Sequence, residues 1–152
     1  MSDTTEIRSL LRQYAEIRQR LAQHPWIRNN NAPLGDVAEH LLAEALGGTV
    51  ADNNAKGYDV ELPDGQLIQV KGITYRGKDN LVTSAIRSLD FDSVAIVICE
   101  PDFSVVEGLL VPAAKVVEVS RFHKMLNGYQ IKVKQARPVA LDITDKLRAV
   151  WN

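Results

Sequence analysis

Apolar and polar residues alternate through Gly57–Gly72 and repeat at helical spacing before it, so this stretch fixes the frame in which the rest of the chain is read. Val60, Leu62, Ile68 and Val70 fall on one set of alternate positions, and Asp59, Glu61, Gln69 and Lys71 on the other. A period of two is that of a strand with one buried face. Between the two runs, Pro63-Asp64-Gly65 carries turn residues, and the pattern predicts a β-hairpin with a three-residue loop. Leu62 then pairs with Gln66, and Asp59 falls opposite Gln69. A two-residue loop would send Asp59 to the face opposite Gln69.

Upstream the period changes. Ile7, Leu10, Leu11, Tyr14, Ile17 and Leu21 repeat at helical spacing up to Pro25, behind an Asp3–Glu6 pair that resembles a capping box. Packing of this helix on its own domain is the expectation. Its steps 7, 10, 14, 17 and 21 also suit a coiled-coil seam, with dimerisation as the alternative. Pro25 to Asn31 reads as a loop in which Trp26 anchors packing rather than stacking on a base. A second helix is predicted from Pro33 to Leu46, stopped by Gly47-Gly48. Its Asp36 and His40 form an i, i+4 pair that could in principle hold a metal, but such pairs are usually solvated. Thr49 to Ala51 reads as a short strand.

Downstream, Thr74 to Asn80 is a polar segment with the character of a mobile substrate-contacting loop, and Leu81 to Leu89 a short helix carrying Ser84 and Arg87. Val94 to Cys99 is a continuous apolar run expected of a central buried strand. Val105 to Val111 reads as a strand, Pro112 to Glu118 as the start of a short helix, Tyr129 to Val133 as a brief strand, and Ile143 to Trp151 as a helix capped by Asp142 or Thr144. The predicted class is α/β, with a mixed central sheet flanked by helices.

The length of 152 residues fits one domain over 1–152, with an N-terminal helix at 3–24, a core at about 31–111 and a basic part at 112–152. Hydrophobic content of 45% and charged content of 24% are ordinary for a protein with a packed core. No apolar run could span a bilayer, and the first residues lack the basic and apolar regions of a signal peptide, so no membrane partner and a cytoplasmic location are expected. Cys99 stands alone, which excludes an intramolecular disulfide and a cysteine zinc site. The net charge of −1 gives no global signal for nucleic acid. Lys115, Arg121, Lys124, Lys132, Lys134 and Arg137 nevertheless face Glu118 alone between Pro112 and Pro138. They could track a phosphate backbone, or form a solvated surface balanced by acids elsewhere.

The polar side of the hairpin carries the candidate chemistry. Cross-strand neighbours lie about 4.5–5.5 Å apart at Cβ, so the Asp59 carboxylate and the Gln69 side-chain oxygen could share one small cation, with Lys71 beside them. Glu39, on the second helix, could point toward the same place. Phosphodiester hydrolysis needs such a set: a divalent cation against the scissile phosphate, a positioned water and a cation near the attacking oxygen. Asp59 would be the principal ligand, Gln69 and the Val70 carbonyl would complete an oxygen-rich site suited to Mg²⁺, and Glu39 would bind directly or through water. Lys71 would orient and help deprotonate the water. Tyr75, Arg76, Lys78 and Arg87 are the candidate nucleic-acid contacts. The competing reading is an amphipathic hairpin whose polar side is merely wet. No Ser/His/Asp signature and no glycine-rich phosphate loop are present.

Glu39 on a helix, Asp59 on one strand and Gln69-Val70-Lys71 on the next resemble the PD-(D/E)XK nuclease superfamily, over about 31–111. Tyr58 stands where the motif has proline, and Gln69 replaces the usual acid, a variant similar to the Mrr-like branch. Gly35-Asp36-Val37-Ala38-Glu39, Lys56-Gly57-Tyr58-Asp59 and Gln69-Val70-Lys71 are also similar to a group of small bacterial proteins. The resemblance implies a restriction-endonuclease-like fold and a Mg²⁺-dependent (or Mn²⁺-dependent) DNA endonuclease, in restriction or another defence role; because one such site cuts one strand and the first helix offers a seam, a homodimer is expected. The alternatives are a catalytically silent relative that binds nucleic acid or a partner protein, and a subunit of a larger nuclease complex.

Overall fold

The computed structural model describes residues 3–29, 32–52, 54–55 and 57–151, the Asp3 side chain excepted. The expected capping box at Asp3 therefore lies outside the described residues, as do Asn30, Asn31, Asn53 and Lys56.

In chain order the elements are α1 (Asp3–Ala22), α2 (Leu34–Leu46), β1 (Thr49–Val50), β2 (Val60–Glu61), β3 (Leu67–Thr74), β4 (Ser93–Cys99) and β5 (Val105–Pro112). They continue as α3 (Ala113–Val116), β6 (Ser120–His123), β7 (Gly128–Ile131), α4 (Val133–Ala136), a 3-10 turn (Arg137–Val139), β8 (Leu141–Asp142) and α5 (Thr144–Trp151). The protein is mixed α/β. Among the described residues six strands form one sheet in the order β1-β2-β3-β4-β5-β8, in which β3 and β4 run parallel and the other neighbours antiparallel, while β6 and β7 form a separate hairpin.

The hairpin has the predicted register and loop. Val60 pairs with Ile68 and Glu61 with Leu67, and the Leu62 amide donates to the Gln66 carbonyl at 2.9 Å across the turn. Val60, Ile68 and Val70 are buried on one face, with Leu62 packed against them. β4 is buried along its whole length, as its unbroken apolar run requires. Its side chains alternate between two cores. Ala95, Val97 and Cys99 join α2 and α5, and Val94, Ile96 and Ile98 meet Ile86, Val116, Ile131 and Val133 on the other face. Burial pushes the Cys99 thiol up to about 11, so it is protonated at neutral pH.

Two glycines let helices settle on the sheet. A Cβ at Gly108 would lie 2.2 Å from Leu147 Cδ1 of α5, and one at Gly72 would lie 2.9 Å from Leu34 Cγ of α2. The start of α5 is held by Asp142, whose Oδ1 accepts the Thr144 amide at 2.9 Å.

Four expectations are corrected. Residues 81–89 are not helical: the segment lies extended along the second hairpin, with Ile86 exchanging backbone bonds with Tyr129 at 2.8 and 2.9 Å and the Thr83 amide donating to Ile131 at 3.1 Å. Lateral partners for β-branched Val82, Thr83 and Ile86 replace the bonds a helix would make. The Tyr129–Val133 strand ends at Ile131, and Val133 opens α4. Asp36 is not solvated but 5% exposed. It accepts from the Arg28 amide (3.1 Å) and Asn29 Nδ2 (3.3 Å), tying the preceding loop to the first turn of α2. Finally, α1 does not bury its stripe: Ile7, Leu10, Leu11, Tyr14, Ile17 and Leu21 are all exposed, between 39% and 56%. Trp26 does anchor packing, stacked on His40 and Trp151 at 5.3 and 6.0 Å between ring centroids. Among the described residues no helix is long and apolar enough to cross a membrane.

Candidate active site

The hairpin ladder stops one residue short of Asp59. The Asp59 amide donates to the Ile68 carbonyl at 2.8 Å, and its Oδ2 accepts the Val70 amide at 2.7 Å. Asp59 thus brackets Gln69 instead of standing opposite it in the ladder, which corrects the expected pairing. The cause is local: the chain turns there toward β1, where the Ala51 amide donates to the Asp59 carbonyl at 2.8 Å, and a short carboxylate takes over one β3 amide.

That carboxylate lines a polar cleft of about 170 Å³ with Arg28, Asp36, Glu39, Asp52 and Tyr58. Glu39 arrives from α2, where Ala38, Leu41 and Leu42 point into the core and leave it at the edge of the buried stripe. It lines the same cleft as Asp59. Between the acids and the β1 end of the sheet sits Arg28, whose Nη2 donates to Glu39 Oε2 at 3.2 Å and whose Nη1 donates to the Ala51 carbonyl at 3.0 Å. Arg28 Nε is buried without a partner among the described residues.

Electrostatics show how crowded the acids are. The Glu39 carboxyl is pushed up to about 7, first by burial, then by the neighbouring Asp59 charge, with Arg28 opposing both. Asp59 is raised as well, by burial above all, against the Val70 hydrogen bond and the charges of Lys71 and Arg28. Lys71 moves the other way: burial lowers its ammonium, Asp59 opposes that shift and Arg87 adds to it. Its Nζ donates to the Ala85 carbonyl at 3.3 Å. Opposed shifts in adjacent acids and a lysine are the pattern found where protons are moved.

The structure therefore brings Glu39 and Asp59 together in the cleft, whereas Lys71 does not line it and is linked to Asp59 through their opposite charges. Gln69 is half-buried and shares Lys71's face of β3 by strand alternation, but it does not line the cleft. The Val70 side chain is buried in the core and its amide is taken by Asp59. Among the described residues no three His, Cys, Asp or Glu side chains form a metal-holding cluster.

The candidate nucleic-acid contacts separate into two kinds. Tyr75 is partly buried against the second core, with its amide bonded to the Cys99 carbonyl at 2.7 Å, so it is a packing residue. Arg76 and Lys78 are exposed, but the segment carrying them is tethered: Arg137 grips Asp79 at 2.9 and 3.1 Å and Glu107 at 3.0 Å. This removes Arg137 from the pool of free cations in the basic C-terminal part. Arg87 is exposed, donates to the Leu126 carbonyl at 3.0 Å, and lies near enough to Lys71 to perturb it.

Arg28 is the residue that sequence reasoning missed. It lies in a loop with no periodicity, and its only sequence signal is a cation a few residues before the acid-bearing helix. No protein-family model matches the chain, and no curated protein matches its sequence.

Proposed function

We propose that this protein is a divalent-cation-dependent DNA endonuclease of the PD-(D/E)XK type, hydrolysing a phosphodiester to a phosphate monoester and an alcohol. The observation that carries the reading is the meeting of two half-buried acids, Glu39 and Asp59, in one cleft, their carboxyls both above the ordinary range, with Lys71, held below its own range by burial, within reach of the Asp59 charge. Two crowded carboxylates favour a cation between them, and the donors that line the cleft, Glu39 and Asp59, are oxygens that fit Mg²⁺ or Mn²⁺, with the Gln69 amide oxygen and the Val70 carbonyl on the adjoining strand as further oxygen donors that would have to turn toward the ion. When bound, the ion would supply charge neutralisation at the scissile phosphate.

The protein's own groups then divide the work. The Val70 amide orients the Asp59 carboxylate, and Arg28 holds Glu39 against the cleft wall. Lys71, its ammonium made easier to deprotonate by burial, takes the proton of the attacking water at Nζ or keeps its charge beside the developing phosphorane. Arg87, with the exposed Arg76 and Lys78, meets the phosphate backbone. Cutting both strands of a duplex requires two such sites, hence a homodimer. A cytoplasmic role in restriction or another defence against foreign DNA accords with this chemistry.

A second reading is favoured by one specific observation: Arg28 already neutralises Glu39, and an amide stands at Gln69. On that reading the protein is a silent member of the same fold that binds nucleic acid or a partner protein, or serves a larger nuclease complex. The test is cleavage of duplex, single-stranded and branched DNA with Mg²⁺ or Mn²⁺, alongside calorimetric titration of the metal with and without DNA. Activity abolished by Asp59→Asn and by Lys71→Ala supports the nuclease. Binding of DNA without metal uptake or cleavage supports the silent binder.

A further inference from the structure

The least explained surface of the molecule is α1. Most helical stability in proteins comes from tertiary packing of an amphipathic face, yet Ile7, Leu10, Leu11, Tyr14, Ile17 and Leu21 stay between 39% and 56% exposed. We propose that a second copy of this chain covers the stripe, the two α1 helices lying antiparallel about a twofold axis. The proposal is independent of the catalytic reading.

The flanking charges select both occupant and direction. Setting Ile7, Tyr14 and Leu21 as one row of the seam and Leu10 and Ile17 as the other, an antiparallel pair places Ile7 against Ile17 and Leu10 against Tyr14 of the second copy. Outside the seam, Glu6 then meets Arg20 of the second copy, and the twofold axis repeats this pair at the other end. Gln13 meets Gln13, and Leu11, which lies beside the seam, meets its own symmetry mate and adds apolar surface. A parallel pair would set Glu6 against Leu11 and Gln13 against Arg18, with no opposite charges matched. Antiparallel packing also sets the two helix dipoles head to tail.

The apolar surface continues onto the body where this arrangement needs it. A groove of about 430 Å³ runs beside the C-terminal half of α1, lined by Tyr14, Ile17, Leu21, Ile27, Pro33 and Phe103. The first turns of the second helix would lie there, so each copy contacts both the helix and the body of the other. Such a contact is isologous and closes on itself, giving a dimer and not a filament.

Sedimentation of the full chain at micromolar concentration is the test, with circular dichroism as a check that each variant keeps its fold. A dimer is expected, reduced to monomer by Ile17→Glu. Glu6→Arg and Arg20→Glu should each weaken association roughly tenfold, since two attractions become two repulsions. The doubly swapped Glu6→Arg/Arg20→Glu chain should regain wild-type affinity, and an equimolar mixture of the two single variants should form a heterodimer. Leu11→Cys should cross-link to itself on oxidation, and Thr4→Cys should not. A monomeric wild type, a dimer indifferent to Ile17→Glu, additive charge effects, or self-linking at position 4 would each overturn the proposal.

Discussion

The Asp59 carboxylate accepts the Val70 amide proton at 2.7 Å, a bond that joins the loop before β2 to the middle of β3. It makes one side chain both a structural acceptor and the centre of the acidic cleft, and the two roles respond differently to substitution. In Asp59→Asn the amide oxygen can still accept from Val70 while the charge beside Glu39 is removed. Thermal stability at pH 7 should be unchanged or slightly higher, and cleavage should be lost. Asp59→Ala leaves a β3 amide without its acceptor and should cost about 1–3 kcal/mol. Paired melting curves and cleavage assays distinguish the two effects.

The crowding of acids sets a pH dependence whose sign is unusual for a carboxylate. Glu39 titrates at about 7 in the folded chain, against an ordinary value of 4.5, so between those values the folded state binds more protons than the unfolded one. Stability contributed by this group is present below pH 4.5 and is lost as pH rises through 7, by an amount on the order of 2 kcal/mol once the full shift, about 3 kcal/mol, is discounted for solvent screening of a half-buried group. Asp59, raised too, acts in the same direction. Chemical denaturation from about pH 4.5 to 8 should show the decline in the wild type and a flatter curve in Glu39→Gln. Arg28→Ala removes the cation that opposes the shift and should move the Glu39 titration above 7, read by carboxyl NMR.

The space around Gly108 and Gly35 predicts opposite signs for their substitution. At Gly108 an added methyl would overlap Leu147, which is fully buried, and press on Ile143 Cγ1 at 3.2 Å. Gly108→Ala should destabilise by about 1–3 kcal/mol. Gly35 is exposed near the start of α2, and a methyl added there would meet no atom within 4 Å. Gly35→Ala should therefore stabilise by roughly 0.5–1 kcal/mol. Urea denaturation of both variants gives the comparison.

These relationships divide into what local sequence encodes and what distant partners decide. The hairpin register is legible because Pro63-Asp64-Gly65 fixes the loop, and only that register buries Val60, Ile68 and Val70 together. β4 is legible because its apolar run permits no exposed face. Residues 81–89 are not, since Val82, Ala85, Ile86 and Leu89 fall at helical spacing while the backbone partners that hold the segment extended lie more than forty residues away. Glu39, Asp59 and Lys71 can be named from spacing. The bracketing of Gln69 by Asp59, and the arrival of Arg28 from an aperiodic loop, depend on side-chain reach across chain crossings that no period records.

Gln69 offers the sharpest test of how the cleft treats a cation. An amide oxygen there carries no net charge, and Arg28 cancels part of what Glu39 provides, so the wild type should take up Mg²⁺ weakly until a substrate phosphate adds its own negative charge. Gln69→Glu places a further carboxylate on the strand face that carries Lys71 and should tighten Mn²⁺ binding in the absence of DNA, by about tenfold or more as Coulomb attraction in a half-buried site grows. Cleavage should persist and reach half-maximal rate at lower Mg²⁺. The added charge should also raise the Lys71 ammonium back toward its ordinary range, so the alkaline limb of a pH–rate profile should move upward. If calorimetry finds Mn²⁺ affinity unchanged in Gln69→Glu, Gln69 does not face the ion. The metal would then be held by Glu39 and Asp59 without it.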